Sequence, residues 1–215
     1  MADIPPHADY PPAPWHSCGQ LWCGLTTTTH RLRSPLPTLL GARTLAVLVV
    51  RYQGGTLRYD EFVLASFVHS GRHIGLWVYD IWVDSEASMR AGRQIWGLPK
   101  RMAEFAWAGN QVCIADTAGP LAALSLRPRA RWGVTLPIRF GGFGHLDSTL
   151  LLANATARGR IRPASIDVIE WADRLPRLAR MTTRFGLVAT PLRMTLRAPR
   201  SLGLFQQFVQ LRVAP

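Results

Sequence analysis

Lysine is nearly absent from this chain: Lys100 is the only one in 215 residues, against 24 arginines. Coding bias toward arginine can produce such a census wherever either cation serves, and a lone lysine surviving on a solvated loop is the bland reading. The sharper reading is that Lys100 does something arginine cannot. Arginine keeps its proton under all ordinary conditions, whereas a desolvated lysine becomes a neutral amine that condenses with carbonyl compounds. Cysteine is also scarce. Cys18, Cys23 and Cys113 are too few, and odd in number, for a disulfide scaffold, which fits a reducing compartment. His16, Cys18, Cys23 and His30 lie close in sequence, but their spacing fits no compact zinc module and GQLWCGLTTTT reads as a strand, so no metal is expected. Long apolar runs are missing. The longest clean one, LAVLVV at 45–50, is too short for a membrane span, and no membrane partner is expected. The opening MADIPPHADYPPAPW lacks the basic-then-apolar order of a secretory signal, so a cytoplasmic location is expected.

Acidic residues number only 13 against 25 basic ones, giving a net charge of +12. Such an excess raises nucleic acid as a partner. The arginines are spread from Arg31 to Arg212, however, without a dense basic block or a helix-turn-helix, zinc-finger or RNP-like pattern, so no specific nucleic-acid partner is expected. Clusters such as RPRAR at 127–131 and RGRIR at 158–162 suit solvated faces or the steering of small anions.

What is present is a globular composition, 48% hydrophobic with eight tryptophans and eight phenylalanines. Residues 1–15 are rich in proline and are expected to form an extended arm, with 16–215 a single domain. TLAVLVVRY at 44–52 and LRYDEFVLASFVHS at 57–70 read as a hairpin around Gly54 and Gly55, and HIGLWVYDIWVDS at 73–85 as a strand covered on both faces. The period then changes. Asp84 or Ser85 can cap a helix running to about Trp96, with Glu86 and Arg90 paired on its surface and Gly97 and Pro99 ending it. Lys100 follows in a fixed turn leading into MAEFAWA. Further strands are expected at 111–116, 121–127, 149–157, 160–170 and 186–198, while the glycine-rich RFGGFGHLD at 139–147 reads as a turn or access loop. These elements make a mainly β (α+β) fold of antiparallel β-sheets with one or two short helices.

YDEFV at 59–63, WVDSEAS at 82–88, GRQIWG at 92–97 and LPKR at 98–101, in this order and spacing, resemble the acetoacetate decarboxylase family. The resemblance implies an acetoacetate decarboxylase-like fold with a cone-like β-barrel, homo-oligomers, no cofactor, and a small keto acid as the substrate. It also implies that Lys100 forms a Schiff base with that keto acid, that Arg101 replaces a second lysine, and that Glu61 matches a pocket glutamate. Tyr59, Trp96, Leu98, Pro99 and Met102 are expected to line the pocket or tune the lysine. Burial among Trp96, Leu98, Pro99 and Met102 should lower the Lys100 pKa, whereas Arg101, next along an extended segment, is expected to face away.

Glu61 shares a strand face with Tyr59, Val63, Ala65 and Phe67, and reads either as a proton-handling group or as a buried carboxylate paired with an arginine such as Arg93. Asp84 and Glu86 read as helix-start residues. The decarboxylase's N-terminal arginine has no counterpart by spacing, since Arg31 and Arg33 stand in a differently spaced sequence. The expected activity is therefore decarboxylation of a small β-keto acid, with aldol or dehydration chemistry on pyruvate-like acids as one alternative and noncatalytic binding as another.

Overall fold

The structure, a computed structural model, describes residues 9–183 and 185–204. Its strands are β1 (Trp15–Thr27), β2 (Thr44–Gly55), β3 (Tyr59–Ser70), β4 (His73–Val83), β5 (Lys100–Met102), β6 (Glu104–Ala108), β7 (Gln111–Asp116), β8 (Gly119–Pro128), β9 (Val134–Leu146), β10 (Thr149–Trp171), β11 (Phe185–Leu196) and β12 (Arg200–Leu204). Among the described residues there is one helix, α1 (Glu86–Gln94). Strands run in the order β11-β1-β2-β3-β4-β9-β10, and a further pairing of β10 with β11 closes this path into a ring. All ring contacts are antiparallel except β4 with β9, a parallel pairing confined to Leu76↔Gly142 and Trp77↔Phe143. This closed circuit is a barrel, as the resemblance implies. No described helix is long and apolar enough to cross a membrane.

The apolar alternation of β2 and β3 positions the two cores. Leu45, Val47 and Val49 of β2, with Phe62 and Leu64 of β3 and Trp82 of β4, face outward and pack against Val112, Ile114, Leu121, Leu124 and Leu126 of β7 and β8. The opposite faces, carrying Ala46, Leu48, Val63, Ala65 and Ile81, look into the ring. Both sides of these strands are covered, so they read as continuous apolar runs. Full burial of a side chain such as Phe62 contributes about 2–3 kcal/mol. The strands expected at 149–157 and 160–170 are one long β10, whose first part closes the ring while Ala164–Trp171 pairs with β8. In β4, only Ile81, Trp82 and Val83 are consecutively buried, and much of the preceding strand is only half-covered.

The expected loop at 139–147 is instead part of strand β9. Two of its three glycines serve close approach and not turning: a Cβ on Gly144 would lie 2.0 Å from the Trp96 carbonyl oxygen, and one on Gly141 would lie 2.8 Å from that of Ile74. Of the proline-rich arm, residues 1–8 lie outside the described residues. Tyr10 is buried and its hydroxyl donates to Gln94, and Asp9 pairs with Arg90 at 2.7 Å, so the described end of the arm docks on α1.

Candidate active site

Lys100 is mounted by the short segment between α1 and β5. Ser85 caps the helix, accepting from the Ser88 amide at 3.2 Å, and Glu86 and Arg90 pair at 2.5 Å as expected. A helix this short is marginal alone. Its buried face of Ser88, Ala91 and Gly92 holds it to the barrel. Gly97, at φ +63°, turns the chain out of the helix, and a Cβ there would meet the His145 carbonyl oxygen at 2.3 Å. The Leu98 amide donates to the Gly92 carbonyl at 2.9 Å, and the Arg93 Nε donates to the Lys100 carbonyl at 2.6 Å. Backbone and side-chain bonds thus fix the lysine's Cα on both sides.

Pairing across β4 brings the two candidate groups together. Lys100 lies beside Ile81 in the parallel β4–β5 ladder, while Glu61 lies opposite Val83 in the antiparallel β3–β4 ladder. Ile81 and Val83 are two residues apart and share the inner face, so side chains from β3 and β5 meet across that face. The Lys100 Nζ donates to Glu61 Oε2 at 2.8 Å and to Ser88 Oγ at 2.9 Å, and lies 5.1 Å from the Tyr59 ring centroid. Lys100 is 4% exposed, Glu61 8% and Ser88 0%. Tyr52 packs on Tyr59 with centroids 4.5 Å apart. Gly92 makes the approach possible: a Cβ on it would fall 2.4 Å from the Lys100 Cδ.

Burial draws the Lys100 ammonium toward its neutral form, but the Glu61 carboxylate and the Tyr59 hydroxyl oppose it, and the amine titrates above the ordinary lysine value. The expected fall in pKa is therefore reversed in this resting arrangement. Burial also pushes the Tyr59 phenol up to about 12, opposed by the nearby ammonium, so it stays protonated at neutral pH. Glu61, in direct hydrogen-bond contact with Nζ, is the carboxylate placed to take its proton.

The other sequence candidates are distributed around this cluster. Arg101 faces away, pairing with Asp80 at 2.6 Å and lying over the Trp82 ring. Trp96 packs edge-on against Trp15 at 4.8 Å in the same apolar cluster as Tyr52 and Tyr59, with Leu98 half-buried at its margin. Pro99 is exposed, and Met102 is 38% exposed, so neither supplies the desolvation expected of it. That burial comes from Tyr59, Ser88 and Gly92 instead. The partner of the Glu61 carboxylate is Lys100 and not Arg93. Ser85 takes the cap position, while Asp84 accepts from the Asp60 amide at 2.7 Å. Sequence reasoning missed Ser88, Gly92 and Tyr52. The helix spacing of Ser88 and Gly92, small residues four apart, was the available sign of a neighbour pressed against that face.

Above this floor the inner wall is apolar and incompletely filled. Leu21, Cys23, Leu25, Phe67, Leu76 and Val78 pack with the inner cluster yet remain partly exposed. Leu136 and Phe140 of β9 are exposed, two residues either side of Ile138, which packs on Ala157, Ala189 and Leu192. A separate cavity of about 460 Å³ lies where β4 and β9 part, lined by Trp77, Tyr79, Arg93, Pro99 and His145. Lys100 does not line it.

The acetoacetate decarboxylase family model matches residues 2–119, a span that holds Glu61, Ser88 and Lys100. No curated protein matches. Among solved structures, the enduracididine biosynthesis enzyme MppR with HEPES buffer bound aligns at 14% identity and TM-score 0.71, over 90% of this chain and 89% of that one. Acetoacetate decarboxylase from Legionella pneumophila aligns at 13% identity and TM-score 0.67, over 96% and 94%. An acetoacetate decarboxylase-like enzyme from Sphingomonas wittichii RW1 aligns at 16% identity and TM-score 0.58, over 88% and 92%. Identities this low speak for a shared fold, and the matched half of the chain carries the motif residues in place: the chain belongs to the acetoacetate decarboxylase family.

Proposed function

We propose that the protein is a lysine-imine lyase that decarboxylates a small β-keto acid. One observation carries the reading: the chain's only lysine is buried with its amine bonded to a carboxylate and a hydroxyl. Proton transfer from Lys100 to Glu61 frees the amine to attack the ketone carbon. Loss of water then gives an iminium, and the carboxylate β to it leaves as carbon dioxide while its bonding electrons enter the resulting enamine. Protonation of the enamine carbon and hydrolysis of the new iminium release a ketone and regenerate Lys100. Glu61 is the proposed proton carrier. Tyr59 and Trp96 shape the floor, Leu98 and Pro99 the turn that carries the lysine, and Arg101 and Met102 serve as flanking residues.

A second reading rests on the fold shared with MppR, of which one structure is a complex with pyruvate and another with the condensation product of pyruvate and imidazole 4-carboxaldehyde. On that reading the Lys100 enamine of pyruvate attacks an aldehyde. Incubation with short β-keto acids, and separately with pyruvate plus an aldehyde, decides between them by the product formed: carbon dioxide and a ketone, or a longer keto acid. If neither product forms and the keto acids only bind, the noncatalytic alternative holds. Homo-oligomer formation belongs to the same proposal. Trp132, 67% exposed, is an apolar side chain that a subunit contact would cover, and light scattering at micromolar protein checks it.

A further inference from the structure

Ser88 is bonded directly to the Lys100 amine, yet the sequence reading leaves it without a role. Its side chain is fully buried in the first turn of α1, and its Oγ lies 2.9 Å from the Lys100 Nζ. It is not the helix cap, which is Ser85. A serine inside a helix has no propensity advantage over alanine, so the cap does not account for its hydroxyl. The two acceptors on Nζ are also unlike: the Glu61 carboxylate has acceptor oxygens alone, whereas the Ser88 hydroxyl accepts one hydrogen while giving up another.

Resting on the imine chemistry proposed above, we propose that Ser88 is a catalytic residue that relays a proton from the lysine nitrogen to the substrate oxygen during imine formation. Attack of the neutral amine on the keto carbon forms the C–N bond and leaves a positive nitrogen and an alkoxide. Direct transfer between them passes through a small, strained ring. Through Ser88 the nitrogen gives its proton to Oγ as Oγ–H gives its own to the alkoxide, within a larger cyclic array of N, H, Oγ, H, O and C. The serine ends unchanged and the product is a neutral carbinolamine. The protonated Glu61 then donates to the carbinolamine hydroxyl, the C–O bond breaks, water leaves, and the iminium forms beside the regenerated carboxylate. The two acceptors thereby divide the work: Glu61 stores the proton that Lys100 must lose, and Ser88 moves the one exposed by bond formation.

The test uses the full chain with a short β-keto acid, and cyanoborohydride trapping as the measure of imine formation. Ser88→Ala should slow trapping about 100-fold, the lower end of what a positioned acid-base group contributes, while reaching the same final adduct on Lys100. Ser88→Thr, which keeps the hydroxyl, should recover most of that rate. On the native protein, the trapping rate in mixtures of light and heavy water should curve with isotope fraction, as expected for more than one proton in flight. It should be linear in Ser88→Ala. A native-like rate in Ser88→Ala overturns the role of Ser88 alone, as does a linear dependence in the native protein, which holds even if Ser88→Ala does not fold. Absence of any adduct on the native protein overturns the imine reading itself, and the relay with it.

Discussion

Glu61→Gln removes a charge from the buried pair while keeping the side chain's shape. Its partner is left as an ammonium at 4% exposure, still bonded to the Ser88 hydroxyl but without its neutralising carboxylate. Breaking a buried ion pair from one side costs about 3–5 kcal/mol. The loss has a ceiling, because the lysine can discharge: neutralising an amine of ordinary pKa 10.5 at about pH 7 costs about 5 kcal/mol. The glutamine oxygen still accepts a hydrogen bond, which places the expected loss near the lower end, at about 3 kcal/mol, or a melting temperature lower by roughly 6–12 °C for a chain of this size. In the native protein Lys100 titrates above its unfolded value. Its contribution is therefore complete below the unfolded pKa and fades as pH rises through the folded one. In Glu61→Gln the folded pKa falls below the unfolded value, so the variant regains stability as pH rises between the two. Thermal melts of both proteins from about pH 6 to about pH 10 should thus show a gap that is widest near neutrality and narrows with pH. Equal stability near pH 7, or a gap that does not change with pH, would refute the ion-pair account.

Gly92→Ala improves helix propensity by up to about 1 kcal/mol but sets a Cβ 2.4 Å from the Lys100 Cδ, so turnover should drop at least tenfold with no gain in melting temperature. Steady-state rates and a melt on the same preparation check this. Arg101→Ala should leave imine trapping within about twofold of native and change stability by less than about 1 kcal/mol, because its pair with Asp80 is half-exposed and outside the ring. Burial holds the Cys23 thiol up at about 11, so at mildly alkaline pH a thiol reagent should modify exposed Cys18 and Cys113 first and Cys23 slowly, as peptide mass mapping would show.

The parts of the fold that were legible are those written locally. The β2–β3 hairpin follows from an apolar run meeting paired glycines, and α1 from a capping serine, a charge pair and the Gly97 stop. Closure of the ring by β10 and β11 depends on pairings between distant segments, which periodicity does not encode. Glycine misled at 139–147 because the residue serves two ends, turning a chain and letting another backbone come close, and in β9 the second governs. At the site, Lys100 and Glu61 were reachable through their motif spacing, and the outward course of Arg101 through strand alternation. The direction of the lysine's pKa was not, because it depends on which charge touches the amine. Sequence neighbours suggested an apolar setting for Lys100, and Glu61 read either as a proton-handling group or as paired with an arginine such as Arg93, whereas the ladder geometry across β4 joins Glu61 to Lys100 directly. Ser88 stayed hidden since a serine near a helix start ordinarily reads as a cap.

The uniqueness of Lys100 makes its nucleophilicity open to one direct measurement. Incubating the protein with a keto acid and reducing with borohydride offers the reagent a single side-chain amine, the N-terminal amine being the sole competitor. The account predicts one covalent adduct on the peptide containing GLPK, with the mass of the skeleton after carbon dioxide loss for a decarboxylated substrate, and no adduct in Lys100→Arg, which keeps the charge without an amine that readily deprotonates. A range of keto acids leaving the peptide unmodified, or a Lys100→Arg protein that turns over substrate as well as the native one, would contradict it.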